Sequence, residues 1–429
     1  MFGFANFLLL ALFAAAVFDL IFALARGGGL RGALHGLWNT PHLLFGQQLA
    51  EWRLQLGRIL FAAGLAAYEI SVVFCNSMAR QNWAWVQGVM SPALEWLAFL
   101  CFGAKILFGT RYTWRELLAG GALYFIARWV YFNSQNIWWI GIVVAVLAAK
   151  DVPLRRPLQV YFASGCAAMA VVLALHFAGI VAPDLTSERM GALRGTYGYG
   201  HPNTFGGLVF GLVLAYALLR AQKVRWVDCL LVFAVGVFLL VGPASRSAAL
   251  CTLALAVGLV FCRLRAGHSV PRWWPGTCAG MVGLTAAVSY LLPLLVIKVG
   301  PWNNDIGPAW LAKLDSLLTC RISLTWMAYR LLDVKIAGQV FNWPTVDNSF
   351  AFALFQFGPV VAALLGILFA AALWGHAKQG RRVEVCCLFA MLAYAYMEVQ
   401  PFHLTTNPTA LLLCGAVFAQ TSARWQKIE

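Results

Sequence analysis

Residues 195–220 read GTYGYGHPNTFGGLVFGLVLAYALLR, a glycine-rich aromatic loop that runs straight into an apolar helix with no charge before Arg220. An apolar run of about 17 to 25 residues is long enough to cross a bilayer. Runs of this kind recur near 2–25, 57–75, 93–109, 116–132, 136–149, 158–182, 204–220, 226–242, 246–264, 276–298, 348–375, 384–397 and 407–421. Composition agrees: 62% of residues are hydrophobic and 11% charged, whereas a soluble domain carries about 25% charge. The expected fold is therefore an all-α polytopic membrane protein with about 12 to 13 transmembrane helices. The first run has no basic segment before it and no clear small-residue cleavage site, so it is expected to be retained as a helix.

A net charge of +15 taken alone suits a nucleic-acid partner, but the distribution of the cations argues against it. They sit in short loops on alternate sides of the spans: Lys150, Arg155 and Arg156, then Arg220, Lys223 and Arg225. Arg263, Arg265 and Arg272 follow, then Lys378, Arg381 and Arg382, then Arg424 and Lys427. By the positive-inside rule these loops are cytoplasmic, which puts the N-terminus outside and the C-terminus inside. The eleven cysteines show no CxxC or zinc-like spacing and read as small buried residues. Residues 1–182 read as N-terminal membrane helices. Residues 183–429 form a second region with external loops at 183–203 and 299–347, together with the short turn Gly242–Arg246 and the segment 397–407.

The unusual polar residues fall in these outer loops. Arg194 precedes the glycine-aromatic loop, and Arg246 sits at the mouth of a span between Ser245 and Ser247. From Trp310 to Tyr329 the periodicity predicts one helix, with Trp310, Leu314, Leu317, Leu318, Leu324 and Ala328 on an apolar stripe. Arg321 falls in the middle of that stripe, where a guanidinium needs an anionic partner. Three arginines on the face normally depleted of cations suit a diphosphate. Asn203, Asn348 and Asn407 stand at the starts of apolar runs, where they serve as caps and aim helix N-termini outward. External candidates for a general base are His201, Asp347, Glu398 and His403. Proline after His201 favours an extended backbone there, and Gly198 and Gly200 allow close backbone approach. No external Asp-x-Asp pair suits a metal, and no cofactor is expected. Glu69, Glu95 and His176 are the ionisable exceptions inside spans.

The run from Arg194 to Gly206 resembles the GFGHPN-type signature of Wzy-type bacterial polysaccharide polymerases, within the O-antigen ligase/polymerase superfamily. Further elements agree in order: Ser245-Arg246-Ser247, the segment from Lys313 to Ile322, Val346-Asp347-Asn348-Ser349-Phe350 running to Gly358, then Glu398 and Asn407-Pro408. The resemblance covers roughly residues 180–415. Ligases of the superfamily place histidine before Asn, Ser or Gln, nine residues and Gly; Asp347-Asn348 and Gly358 keep that spacing with aspartate in place of histidine. That departure favours polymerase over ligase and implies Asp347 as base, with His201 as the runner-up. The resemblance also implies a GT-C-like fold and an inverting, metal-independent displacement, with Arg194, Arg246 and Arg321 holding the diphosphate. The implied donor and acceptor are undecaprenyl-diphosphate-linked glycans, with a flippase and a chain-length regulator as candidate partners beside the bilayer. Cys320 stands where the family pattern has glycine. The aromatic segment 299–347, with Trp302, Trp310, Trp326 and Trp343, is expected to cover the site on the membrane surface. A transporter, the alternative of another class, would gather its ionisable residues near the bilayer midplane.

Overall fold

In the computed structural model, residues 2–26, 29–46, 51–181, 187–189, 192–296 and 307–418 are described. Trp302 and the ends of the expected spans at 182, 297–298 and 419–421 lie outside them. Eight helices among the described residues are long and apolar enough to cross a membrane. They are Gly3–Ala25, Glu51–Cys75, Val86–Phe108, Arg155–Phe177, Pro202–Leu219, Arg246–Leu264, Trp274–Leu295 and Pro359–Lys378. Their outward faces carry large apolar side chains. On the helix Arg246–Leu264, for example, Leu250, Val257, Phe261 and Leu264 are exposed while Ala248, Cys251, Leu255, Leu259 and Cys262 face inward. Such apolar exposure suits lipid and not water.

The remaining expected spans take other forms. Trp114–Ser134 is long enough but not apolar enough. Trp226–Val241 and Arg382–Met397 have 16 residues each, about 24 Å at 1.5 Å per residue. Ile137–Ala148 has only 12 residues, and every residue from Trp139 to Ala148 is buried, as expected of a helix that is apolar all round. The run 348–375 is not one helix. It begins as Ser349–Phe352, widens into a π-turn at Ala353–Phe357, breaks at Gly358 with φ +87°, and restarts as Pro359–Lys378. A side chain at Gly358 would strike the backbone carbonyl of Ile336, so the break requires glycine.

The last expected span, 407–421, is replaced over its described part by a 3₁₀ helix, Pro408–Leu413, and one further turn, Cys414–Val417. The chain enters the bundle earlier than expected. A Cβ on Gly207 would press on Gln400 and Tyr394, and one on Gly211 would lie 2.5 Å from the Thr405 carbonyl oxygen. Leu412 then shares a cavity wall with Leu218 and Leu219. Residues 400–412 thus run alongside Pro202–Leu219 in the same direction, from one end to the other. Irregular backbone is tolerated at membrane depth only when buried in protein, and the two glycines, four residues apart, provide that close contact.

Two short antiparallel ladders complete the described chain. His42–Leu43 pairs with Arg111–Tyr112, and Ser187–Arg189 pairs with Ala192–Arg194.

Candidate functional site

The loop of residues 195–200 is tethered rather than free. The Met78 N–H donates to the Gly198 carbonyl at 2.8 Å, and Tyr199 bridges to Ser77. Gly198 has φ +82°, and a Cβ there would meet that of His176 at 3.0 Å. Its glycine therefore serves the turn. Tyr197 stacks on Phe205 with ring centroids 5.0 Å apart. This anchors the loop to the start of the Pro202–Leu219 helix, where His201 is the N-cap.

Around that helix start, side chains from five segments meet. Asn203 donates through Nδ2 to Glu398 Oε1 at 3.1 Å, and its Oδ1 accepts from Arg194 Nη2 at 2.8 Å. Ser247 Oγ donates to the same Glu398 oxygen at 2.9 Å, and Arg321 Nη2 does so at 3.0 Å. Three donors therefore converge on one carboxylate oxygen. Arg321 Nη2 also lies 3.4 Å from Asp347 Oδ2. The rest of its fork is held by Nε donating to the Met397 carbonyl at 3.0 Å and by Nη1 donating to the Thr319 carbonyl at 3.0 Å and to the Thr319 hydroxyl.

The two carboxylates differ in access. The Glu398 side chain is 6% exposed and that of Asp347 25%. Burial raises the Glu398 carboxyl above its usual range; Arg321 opposes the shift, and the charge of Asp347 adds to it. Glu398 is thus an internal counter-ion, whereas Asp347 presents an open edge beside a guanidinium.

The local fold explains how Arg321 reaches this position. The expected single helix from 310 to 329 is two helices, Ala309–Leu317 and Arg321–Leu331. Thr319 and Cys320 break it with φ of +58° and +66°. Trp310 and Leu317 are exposed, so the apolar stripe is not one buried face. Asp315, fully buried, accepts from the backbone N–H of Ile322 at 2.7 Å and of Ser323 at 3.2 Å. It caps the second helix and puts Arg321 on its first turn. Cys320 holds the left-handed conformation that favours glycine.

The other candidates fall at the edge of this cluster or outside it. Arg194 is buried, and its fork also donates to the carbonyls of Pro243 at 3.4 Å and Ala244 at 3.2 Å. It braces the turn before Arg246, which is exposed at the start of Arg246–Leu264. His201 is exposed, and its Nδ1 accepts the Asn203 N–H at 3.1 Å, which leaves the ring proton on Nε2. Asn348 is buried, caps Ser349–Phe352 through Phe350 and Ala351, and donates to Ser289 Oγ at 3.1 Å. Asn407 caps its own 3₁₀ turn through the Ala410 N–H at 3.1 Å and donates to the Pro401 carbonyl at 3.0 Å. It lies past Thr405, inside the bundle, and not at the outer helix start expected of it. His403 sits against Trp138, ring centroids 3.7 Å apart, away from the cluster.

Thr319 and the Met397 carbonyl were not foreseen as partners of Arg321. Neither has a sequence signal, since one acts partly and the other wholly through main chain. The sharing of Glu398 by three donors was equally hidden, because 151 to 195 residues separate it from Ser247 and Asn203. No family model, curated protein or solved structure matches the chain.

Proposed function

We propose that the chain is a glycosyltransferase that polymerises undecaprenyl-diphosphate-linked oligosaccharide repeat units on the outer face of the cell membrane, as Wzy-type polymerases do. The observation that carries this is the convergence of Arg321, Asp347, Glu398, Asn203 and Arg194 at one end of the bundle. These residues belong to motifs whose order along the chain resembles that family. The ionisable residues of this cluster lie at a membrane end and not at the midplane, which favours surface chemistry over transport.

In this mechanism the acceptor hydroxyl oxygen attacks the anomeric carbon from the side opposite the diphosphate. Its proton passes to Asp347, the more open of the two carboxylates. The anomeric C–O bond breaks with its electron pair going to the diphosphate, a good leaving group that needs its charge neutralised. Arg321 and the exposed Arg246 meet that charge, and Arg194 acts through Asn203 and the 243–244 turn. Glu398 is a positioning residue: it orients Arg321, Asn203 and Ser247 and does not touch substrate. The superfamily resemblance implies inversion, a GT-C-like architecture and no divalent metal.

The test is Asp347→Ala in the native host, with lipid-linked glycans examined. A polymerase defect leaves single repeat units on their carrier. Long polymers that stay lipid-linked would instead indicate a ligase, and unchanged glycans would overturn the assignment of Asp347.

A further inference from the structure

Pro202–Leu219, Arg246–Leu264 and Arg382–Met397 each have one end at the arginine–carboxylate cluster. Their other ends, about 25 Å away at 1.5 Å per residue, surround a cavity of about 820 Å³. Arg220, Lys223 and Arg225 reach it from the turn after the first of these helices. Arg155, Arg263, Arg381 and Arg382 reach it from helix ends. Among the described residues, Glu384 is the one carboxylate in its wall.

Two of these cations are already engaged. Arg220 Nε lies 3.2 Å from Asp228 Oδ1, and Arg382 donates to the carbonyls of Arg265 and His268. Among the described residues, no carboxylate within ion-pair distance serves Arg155, Lys223, Arg225, Arg263 or Arg381. The inside rule explains why cations lie on this face but not why five helix ends and turns direct them into one concavity. Like charges confined there repel one another and focus a positive field. Leu158, Leu412 and Val383 give the same cavity apolar wall. Several guanidinium forks around a partly apolar pocket between helix ends match the geometry of phosphate recognition at a cytoplasmic membrane face.

We propose that this cavity binds a phosphate-bearing anion from the membrane face opposite the carboxylate cluster, with Arg155, Arg225, Arg263 and Arg381 as its main ligands. This site is separate from the proposed polymerase chemistry and stands whether or not that chemistry does. The phosphate belongs either to a lipid headgroup or to a soluble anion.

The full-length protein in phosphatidylcholine nanodiscs distinguishes these sources. One arm titrates inorganic pyrophosphate in solution, and the other dopes the nanodisc with cardiolipin and reads bound lipid by native mass spectrometry. Arg263→Gln with Arg381→Gln is compared with Arg272→Gln with Lys378→Gln, which removes the same charge from exposed positions outside the cavity. At about fivefold per arginine, the cavity pair weakens binding about 25-fold in whichever arm binds, while the outside pair changes it less than about twofold. If the cavity pair alters the melting curve, the exposed single variant Arg155→Gln is read instead, with about a fivefold loss expected. Binding in neither arm, or equal losses in both pairs, overturns the proposal.

Discussion

Replacing Glu398 by alanine removes the one acceptor that Arg321, Asn203 and Ser247 share. Breaking a buried ion pair costs about 3 to 5 kcal/mol; because Arg321 keeps Asp347 at 3.4 Å, the lower end, about 3, applies. The amide of Asn203 loses its acceptor while its oxygen keeps Arg194, which adds about 1 kcal/mol. Ser247 is half-buried and adds about 0.5 kcal/mol. The total is about 4 to 5 kcal/mol, a large share of a typical stability of about 5 to 15 kcal/mol. Glu398→Gln retains an acceptor oxygen and removes a charge that burial disfavours, so a loss below about 1 kcal/mol is expected. Titrating SDS into mixed micelles and following helix loss measures both. A loss below about 1 kcal/mol for alanine, or equal losses for alanine and glutamine, would refute the shared-acceptor role.

The raised Glu398 pKa gives a second expectation. Since the fold favours the protonated form, its contribution is fully present below the ordinary value of 4.5 and is lost as pH rises through the raised folded value. That increment in the stability–pH curve should vanish in Glu398→Gln; its persistence would assign it elsewhere. Cys320→Gly should raise stability by about 1 kcal/mol by removing left-handed strain, measured in the same micelles, whereas a loss would show that the thiol packs productively. Cys320 is exposed, so an impermeant maleimide added to intact cells should label it if this loop is external, and absence of labelling would invert the topology. Gly211→Ala drives a Cβ to 2.5 Å from the Thr405 carbonyl, while Gly366 has open space. The first should destabilise by about 2 kcal/mol or more and Gly366→Ala should be neutral or better; similar melting temperatures would contradict the packing of 400–412 against the helix.

The long apolar helices were legible because lipid demands continuous apolar runs with every backbone group paired internally. Where protein and not lipid surrounds the chain, that demand relaxes. This is why Ile137–Ala148 is short, why 348–375 breaks at Gly358, and why Pro408–Leu413 winds as a 3₁₀ helix. Periodicity alone missed the break at Thr319–Cys320, since a buried Asp315 capping from seven residues away leaves the apolar spacing intact. The departure from glycine at Cys320 was visible, and its left-handed backbone is the physical counterpart. Arg321, Asp347 and Glu398 were each legible as polar residues in outer loops. Their mutual contact was not, because it depends on how separate helices dock.

The most direct measurement uses purified protein in nanodiscs with a polyprenyl-diphosphate-linked repeat unit as the sole sugar substrate, in the presence of EDTA. The wild-type chain should convert it to a ladder of longer lipid-linked glycans, and Asp347→Asn should leave single units while still binding them. No ladder from the wild type, or an unchanged ladder from Asp347→Asn, would contradict the proposed chemistry.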